Sequence, residues 1–110
     1  MILIAGETGT LGRRVVRLLT ARGHAVRILT RDPAHAAALA DYGVEIVTGD
    51  VRDPGAVARA MVGVHTVISA IQGFSGTGGN SPQAVDHVGN GILMRAAREA
   101  EVEHFVLVSI

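Results

Sequence analysis

Short apolar runs alternate along this chain with segments in which apolar residues recur at helical spacing. The runs are rich in β-branched residues, as is typical of buried strands. Strands are predicted at residues 1–5, 25–30, 44–48, 64–71 and 104–110. The segments between them place their apolar side chains on one face of a helix. Helices are predicted at residues 11–22, 33–42, 54–62 and 83–100.

Three residues mark the ends of these helices. Gly23 follows the last apolar residue of the first helix and is suited to end it. Pro33 suits the first turn of the second helix, where the missing amide costs nothing. Asp53 stands immediately before the third helix, where its carboxylate can accept a hydrogen bond from a free backbone amide.

The alternation of strands and helices predicts an α/β domain. Strands that are apolar almost throughout are typical of a parallel sheet with helices on both faces. Right-handed crossovers then give a doubly wound sheet of five strands, most simply in the order 3-2-1-4-5. A chain of 110 residues has room for one such domain, or part of one, with a single core.

Three glycines, Gly6, Gly9 and Gly12, lie between the first strand and the first helix. In a doubly wound sheet this is where phosphates bind, because the helix begins with free amides and a partial positive charge. Gly6 can make the sharp turn, Gly9 can let the backbone approach a pyrophosphate, and Gly12 can let the helix pack closely on the sheet. The alternative is a purely structural glycine turn. A P-loop is excluded because the chain contains no lysine.

Composition removes several other classes of protein. The formal net charge of zero gives no field that would attract nucleic acid. No apolar run approaches the ~20 residues of a membrane span, and the N-terminus has no signal-peptide pattern. The absence of cysteine fits a reducing cytoplasm, where we expect the protein to be located. The five histidines are scattered, so no metal site is expected.

Four segments in this order resemble the short-chain dehydrogenase/reductase superfamily: "GETGTLG", "TRDP", "GDV" and residues 85–109. The resemblance is greatest to its atypical, NmrA-like, NAD(P)H-binding branch, whose glycine spacing differs from the usual Gly-x-Gly-x-x-Gly. It implies a Rossmann-type sheet in one domain over residues 1–110. Members of the superfamily are usually much longer and continue into an active-site segment and a substrate-binding portion. The resemblance therefore implies that the domain is truncated after strand five.

The resemblance also implies which residues meet the cofactor. Arg31 matches a basic residue at the adenosine ribose and its 2′-phosphate, which favours NADP(H) over NAD(H). Asp50 and Val51 match the pair that brackets the adenine. The alternatives are an exposed Arg31 without a ligand, an Asp32 that meets the ribose instead of capping the following helix, and a turn role for Asp50. The residues that match the pyrophosphate loop are Gly6, Thr8, Gly9, Thr10, Leu11 and Gly12.

The nicotinamide end of the cofactor is matched by residues near the ends of strands four and five. The stretch Ala70, Ile71 and Gln72 matches the segment along the nicotinamide-side ribose. Ser109 is a weak candidate for a catalytic residue, since members often place Ser or Thr there. A serine in that position can also simply end a strand.

The residues leave the question of catalysis open. Reductases of this superfamily commonly use a Tyr followed four residues later by a Lys, downstream of strand five. This chain has a single tyrosine, Tyr42, and no lysine. Three functions therefore remain: the cofactor-binding part of an NAD(P)H-dependent oxidoreductase, a dinucleotide-sensing regulator without turnover, and an inactive remnant. The residues do not indicate which small molecule is the substrate.

Strand five is predicted to form an apolar edge of the sheet, and such an edge favours self-association.

Overall fold

The computed structural model describes residues 1–5, 10–31, 34, 37, 43–69 and 89–107. Within these ranges the chain forms five strands and three complete helices. The strands are β1 (Ile2–Ala5), β2 (Val26–Thr30), β3 (Glu45–Thr48), β4 (Thr66–Ser69) and β5 (His104–Leu107). The helices are α1 (Thr10–Ala21), α2 (Pro54–Ala60) and α3 (Asn90–Glu99).

All five strands are parallel and lie in the order β3-β2-β1-β4-β5, which confirms the predicted topology. One row of apolar side chains crosses the whole sheet at matching register. Its members are Ile46, Ile28, Ile4, Ile68 and Val106. Because neighbouring residues of a strand point to opposite faces, this row belongs to one face and the residues beside it to the other.

Helices cover both faces of the sheet, so the domain has two apolar layers. On the first face, Val16 of α1 is buried with Ile4 and Ile28. On the second face, Val57 of α2 and Leu93 of α3 are fully buried with the side chains of β1 and β4. This arrangement is the two-sided burial that the continuous apolar strands predicted.

Some predicted boundaries shift. Strand β4 begins at Thr66 rather than at residue 64, because the amide of Val64 donates to the carbonyl of Met61 in the turn after α2. Helix α2 ends at Ala60, and Gly63 then adopts a positive φ of 76° that favours glycine. Ala34 and Ala37 are helical, as predicted. The rest of the predicted helix over 33–42, and residues 70–71, 83–88 and 108–110, lie outside the described residues.

Helix α2 is fixed at its first turn by a close approach to the end of β3. The amide of Gly49 donates to the carbonyl of Thr30 at 2.8 Å. A Cβ at Gly49 would lie only 2.7 Å from the Cβ of Ala56, so a side chain does not fit without a shift of the helix. As predicted, Asp53 caps α2, and its carboxylate accepts from the amide of Gly55 at 3.0 Å.

The other end of α2 is held by Arg27, which lies on β2. Its Nη1 donates to the carbonyls of Ala60 and Val62 at 2.7 and 2.6 Å. Its Nη2 donates to Glu45 Oε2 at 3.3 Å across the β2–β3 pair. A cation on the last carbonyls of a helix is favourable, because these carry partial negative charge. Both ends of α2 are therefore tied to the edge of the sheet that contains β2 and β3.

The contact at Gly49 predicts the stability of one variant. Gly49→Ala should lower the free energy of unfolding by about 1–3 kcal/mol, because the new methyl group overpacks against Ala56. Urea unfolding followed by circular dichroism measures this. Gly91→Ala is the matched control, since Gly91 lies in α3 with nothing within 4 Å of an added Cβ. That control should gain about 0.5–1 kcal/mol from helix propensity. A Gly49→Ala protein as stable as the wild type would contradict the packing argument.

Candidate functional site

The carboxyl ends of the five parallel strands lie at one edge of the sheet. The strand order reverses between β1 and β4, since β2 and β3 follow on one side and β5 on the other. In open α/β sheets, ligands bind outside the carboxyl ends of the strands at such a reversal. Helix α1 begins at Thr10, soon after β1 ends at Ala5, so its free amides lie at this edge.

Only part of the predicted pyrophosphate loop falls within the described residues. Thr10, Leu11 and Gly12 form the first turn of α1 and have helical backbone. This places them at the end of the helix where amide groups carry partial positive charge. The remaining predicted residues of the loop and of the nicotinamide end lie outside the described residues. They are Gly6, Thr8, Gly9, Ala70, Ile71, Gln72 and Ser109.

The predicted adenosine-side residues are brought together at the ends of β2 and β3. Thr30 pairs with Thr48 in the sheet, and each strand ends there. Arg31 follows directly after β2 and is exposed, whereas Asp50 follows two residues after the end of β3. Asp50 is about one-third exposed at its side chain, at 33%. The structure thus places a cation and a carboxylate just after two neighbouring strands, at the same edge of the sheet.

The carboxylate of Asp50 is held by Arg52. The backbone amide of Arg52 donates to Oδ1 at 2.8 Å, as in an Asx turn. The guanidinium of the same residue donates through Nε to Oδ1 at 3.1 Å and through Nη2 to Oδ2 at 2.8 Å. This fork is the bidentate geometry that makes Arg–carboxylate pairs specific in direction as well as favourable in energy.

These contacts lower the pKa of Asp50 below its ordinary value. The hydrogen bonds from the Arg52 side chain are the largest cause, and partial burial opposes them. The amide of Arg52, its charge and the positive charge of Arg31 lower the pKa of Asp50 further. Arg31 is therefore near enough to interact electrostatically with the carboxylate, and Asp50 is ionised at neutral pH.

Val51 points away from this edge. Its side chain is buried, with 9% exposed, and belongs to the core that α2 and α3 form on the sheet. Its burial in the core holds the loop between β3 and α2 against the sheet, while Asp50 and Arg52 on either side of it carry the charges. Val51 is thus a packing residue, and its buried side chain is not presented at the carboxyl edge.

Sequence analysis missed Arg52. The signal was present in the segment "GDVRDP", because an Arg two residues after an Asp can fold back onto the carboxylate of an Asx turn. Two further polar residues at the carboxyl edge, Thr30 and Ser69, are buried, with 6% and 0% exposed, and the sequence did not predict their burial. Both residues have interaction partners. A hydroxyl at the end of an apolar strand is a weak signal, since it is also a common way for a strand to end.

The described ranges hold neither a metal-binding cluster nor a membrane-spanning helix. No three His, Asp or Glu side chains there lie close enough together to hold a metal ion. None of the helices in those ranges has the length and apolar character needed to cross a membrane.

The glycine-rich connection from β1 to α1, the strand order and the charged residues after β2 and β3 are together typical of a dinucleotide-binding domain. Residues 6–110 match the model of a family described as NAD(P)H-binding. The chain belongs to this NAD(P)H-binding family. This match and a similar solved structure of a short-chain dehydrogenase/reductase superfamily protein together confirm the resemblance that the sequence motifs indicated, and with it the Rossmann-type fold.

Two similar proteins are named for different functions. The chain is 37% identical to an NAD(P)H azoreductase of Xenophilus azovorans over 97% of its own length and 34% of that protein. It is 36% identical to the photosystem II assembly factor Ycf39 of Synechocystis over 99% of its own length and 33% of that protein. The chain therefore spans about a third of the length of these relatives.

A solved structure is similar over nearly the whole chain. It is a short-chain dehydrogenase/reductase superfamily protein from Agrobacterium tumefaciens with bound NAD, with a TM-score of 0.83 and 32% identity. The match covers 99% of this chain and 32% of that chain. Together these comparisons identify an NAD(P)H-binding domain of the kind found in reductase-like proteins.

The lowered pKa of Asp50 predicts a change of stability with pH. A carboxyl group whose pKa is lower in the folded state stabilises the fold above its unfolded pKa, which is about 3.9 for Asp. This stabilisation is lost as the pH falls through the folded pKa. We expect the difference in free energy of unfolding between wild type and Asp50→Asn to be constant at neutral pH and to shrink below about pH 4. Urea unfolding at a series of pH values measures the difference, and one that does not change with pH would contradict the ion pair.

Proposed function

We propose that this chain is the cofactor-binding part of an NAD(P)H-dependent oxidoreductase, and that it prefers NADP(H) to NAD(H). The observation that carries the preference is Arg31, which is exposed directly after β2 and lies near Asp50. An NAD site of this fold places an Asp or Glu at the end of the second strand to accept hydrogen bonds from the ribose 2′-hydroxyl. Here that position carries a guanidinium.

The proposed cofactor lies across the carboxyl edge of the sheet. Its pyrophosphate would meet the first turn of α1 and the glycine loop before it, from Gly6 to Gly12. Its adenine would lie beside Asp50 and the backbone of Val51. The nicotinamide-side ribose would follow Ala70, Ile71 and Gln72, with Ser109 beside the nicotinamide. Bound NADPH would supply a hydride, and the residues of this chain would bind and orient the NADPH.

A guanidinium discriminates between the two cofactors by charge and geometry. It can donate two charge-assisted hydrogen bonds to a 2′-phosphate, whereas a neutral 2′-hydroxyl offers it only one weak acceptor. The neighbouring Asp50 does not cancel this effect, because both of its oxygens are engaged by Arg52. The exposed position of Arg31 leaves the guanidinium accessible to a ligand from solvent.

Substitution of Arg31 tests the preference. Arg31→Ala should reduce the ratio of NADPH to NADH affinity by about 10- to 100-fold, since hydrogen bonds to charged groups contribute about 1.5–3 kcal/mol. Isothermal titration with each cofactor measures the ratio, and NADH affinity should change little. Arg22→Ala is the control, because Arg22 is also exposed but follows the far end of α1. Equal affinity of the wild type for both cofactors, or a preference that survives Arg31→Ala, would refute the assignment.

A second function is a dinucleotide-binding regulator without turnover. It is favoured by the likeness to a protein named as an assembly factor. A regulator would bind NADPH without oxidising it when quinone or azo acceptors are added. Consumption of NADPH, followed by its absorbance, would favour the oxidoreductase instead. For either function we propose a cytoplasmic location, since a chain without cysteine suits a reducing compartment.

We further propose that β5 mediates self-association. It is the outer strand of the described sheet, and two of its side chains, Val106 and Leu107, are 46% and 59% exposed. An exposed apolar edge strand is a template for pairing with another chain. In that pairing the second copy would add its own backbone hydrogen bonds to the outer side of β5.

A lysine at this edge should prevent the pairing, because edge strands are commonly protected by charged side chains. Val106→Lys should lower the associated fraction at a given protein concentration, as measured by size-exclusion chromatography with light scattering. Val62→Lys is the matched control, since Val62 is 68% exposed but lies in the turn after α2, outside the strands of the sheet. A wild-type protein that stays monomeric at high concentration would refute this proposal.

A further inference from the structure

Arg52 occupies most of the hydrogen-bonding capacity of Asp50. A carboxylate oxygen has two lone pairs. Oδ1 accepts both from the amide and from Nε of Arg52, at 2.8 and 3.1 Å. Oδ2 accepts from Nη2 at 2.8 Å, which leaves it one lone pair. The carboxylate is therefore held in one orientation, with one direction left in which it can accept from a ligand amino group.

For an incoming ligand, the charges of Arg31, Asp50 and Arg52 matter as much as the hydrogen bonds of Asp50. Arg31, Asp50 and Arg52 together carry two positive charges and one negative charge. Without Arg52, the positive charge of Arg31 would face an uncompensated carboxylate at the end of the neighbouring strand. A 2′-phosphate would then approach a cation that is partly neutralised and a carboxylate that repels it.

We propose that Arg52 is a positioning residue of the adenosine subsite, which holds Asp50 for the adenine and offsets its charge so that Arg31 serves the 2′-phosphate. This inference rests on the proposed NADP(H) preference. It assigns to Arg52 a part in cofactor choice although Arg52 itself need not touch the phosphate. A role confined to the fold of the β3–α2 loop is the competing explanation, since the same contacts also close an Asx turn.

The two explanations differ in how the two cofactors respond. NADH and NADPH share the adenine, so any distortion of the loop should weaken both by the same factor. A loss of charge compensation should instead weaken NADPH selectively. The second effect should also disappear when the uncompensated carboxylate is removed, whereas loop distortion should not be repaired in that way.

The experiment measures the dissociation constants of NADPH and NADH for the intact chain and four variants. For Arg52→Gln we expect the ratio of NADPH to NADH affinity to fall about fivefold, as for the loss of one partly exposed charge near a phosphate. In the double variant Asp50→Asn with Arg52→Gln, the ratio should return to about the wild-type value. Arg52→Lys keeps the charge but not the fork, so it should keep the ratio while both affinities fall.

Arg59→Gln is the matched control, because it makes the same change of charge in α2 without contact to Asp50 in the described structure. Its affinity ratio should equal that of the wild type. An unchanged ratio in Arg52→Gln, in a protein whose preference is abolished by Arg31→Ala, would overturn the role of Arg52 alone. So would a double variant as impaired as Arg52→Gln. A wild type without preference would overturn this inference and the proposed NADP(H) preference together.

Discussion

The contact between the backbone of Gly49 and the methyl group of Ala56 is the constraint on which the adenosine side of this domain depends. It brings the first turn of α2 against the end of β3, where a Cβ at Gly49 would lie 2.7 Å from that of Ala56. The Asp53 cap and the bonds from Arg27 to the carbonyls of Ala60 and Val62 hold both ends of the helix in this position. The short loop between β3 and α2 is therefore fixed at both of its ends.

That fixed loop divides its residues between packing and charge. Val51 is buried under α2 and α3, while Asp50 and Arg52 on either side of it are partly exposed and joined by a bidentate pair. A partly exposed ion pair of this kind contributes little to stability, because solvent screens it. Its value is geometric, since it gives the carboxylate one orientation and leaves the neighbouring Arg31 as the accessible cation.

Proteins of different function contain a domain similar to this one. The NAD(P)H-binding family model covers residues 6–110, and the relatives include one named as an azoreductase and one named as an assembly factor. Proteins that are similar over this domain therefore differ in function, as is common for doubly wound sheets. The similar structure from Agrobacterium tumefaciens holds NAD, so a dinucleotide binds to this fold in a protein that is 32% identical to the chain.

The pattern of the sequence was enough to predict the strands, their order in the sheet and the place of the glycine loop before α1. It also predicted the cap of α2 at Asp53. These features depend on local patterns, namely apolar periodicity, glycine, proline and capping residues, together with the right-handedness of parallel crossovers. The position of Arg31 at the carboxyl edge followed from the same patterns.

The contacts between residues of different elements could not be predicted from local patterns and became known only from the tertiary structure. It placed Val51 in the core, started β4 two residues later than predicted, and tied Arg27 of β2 to the end of α2. It also brought Arg31 near Asp50 and folded Arg52 onto that carboxylate. These contacts depend on how closely α2 approaches the sheet, which is set by the packing of Gly49 against Ala56 and is not written in the periodicity of any one segment.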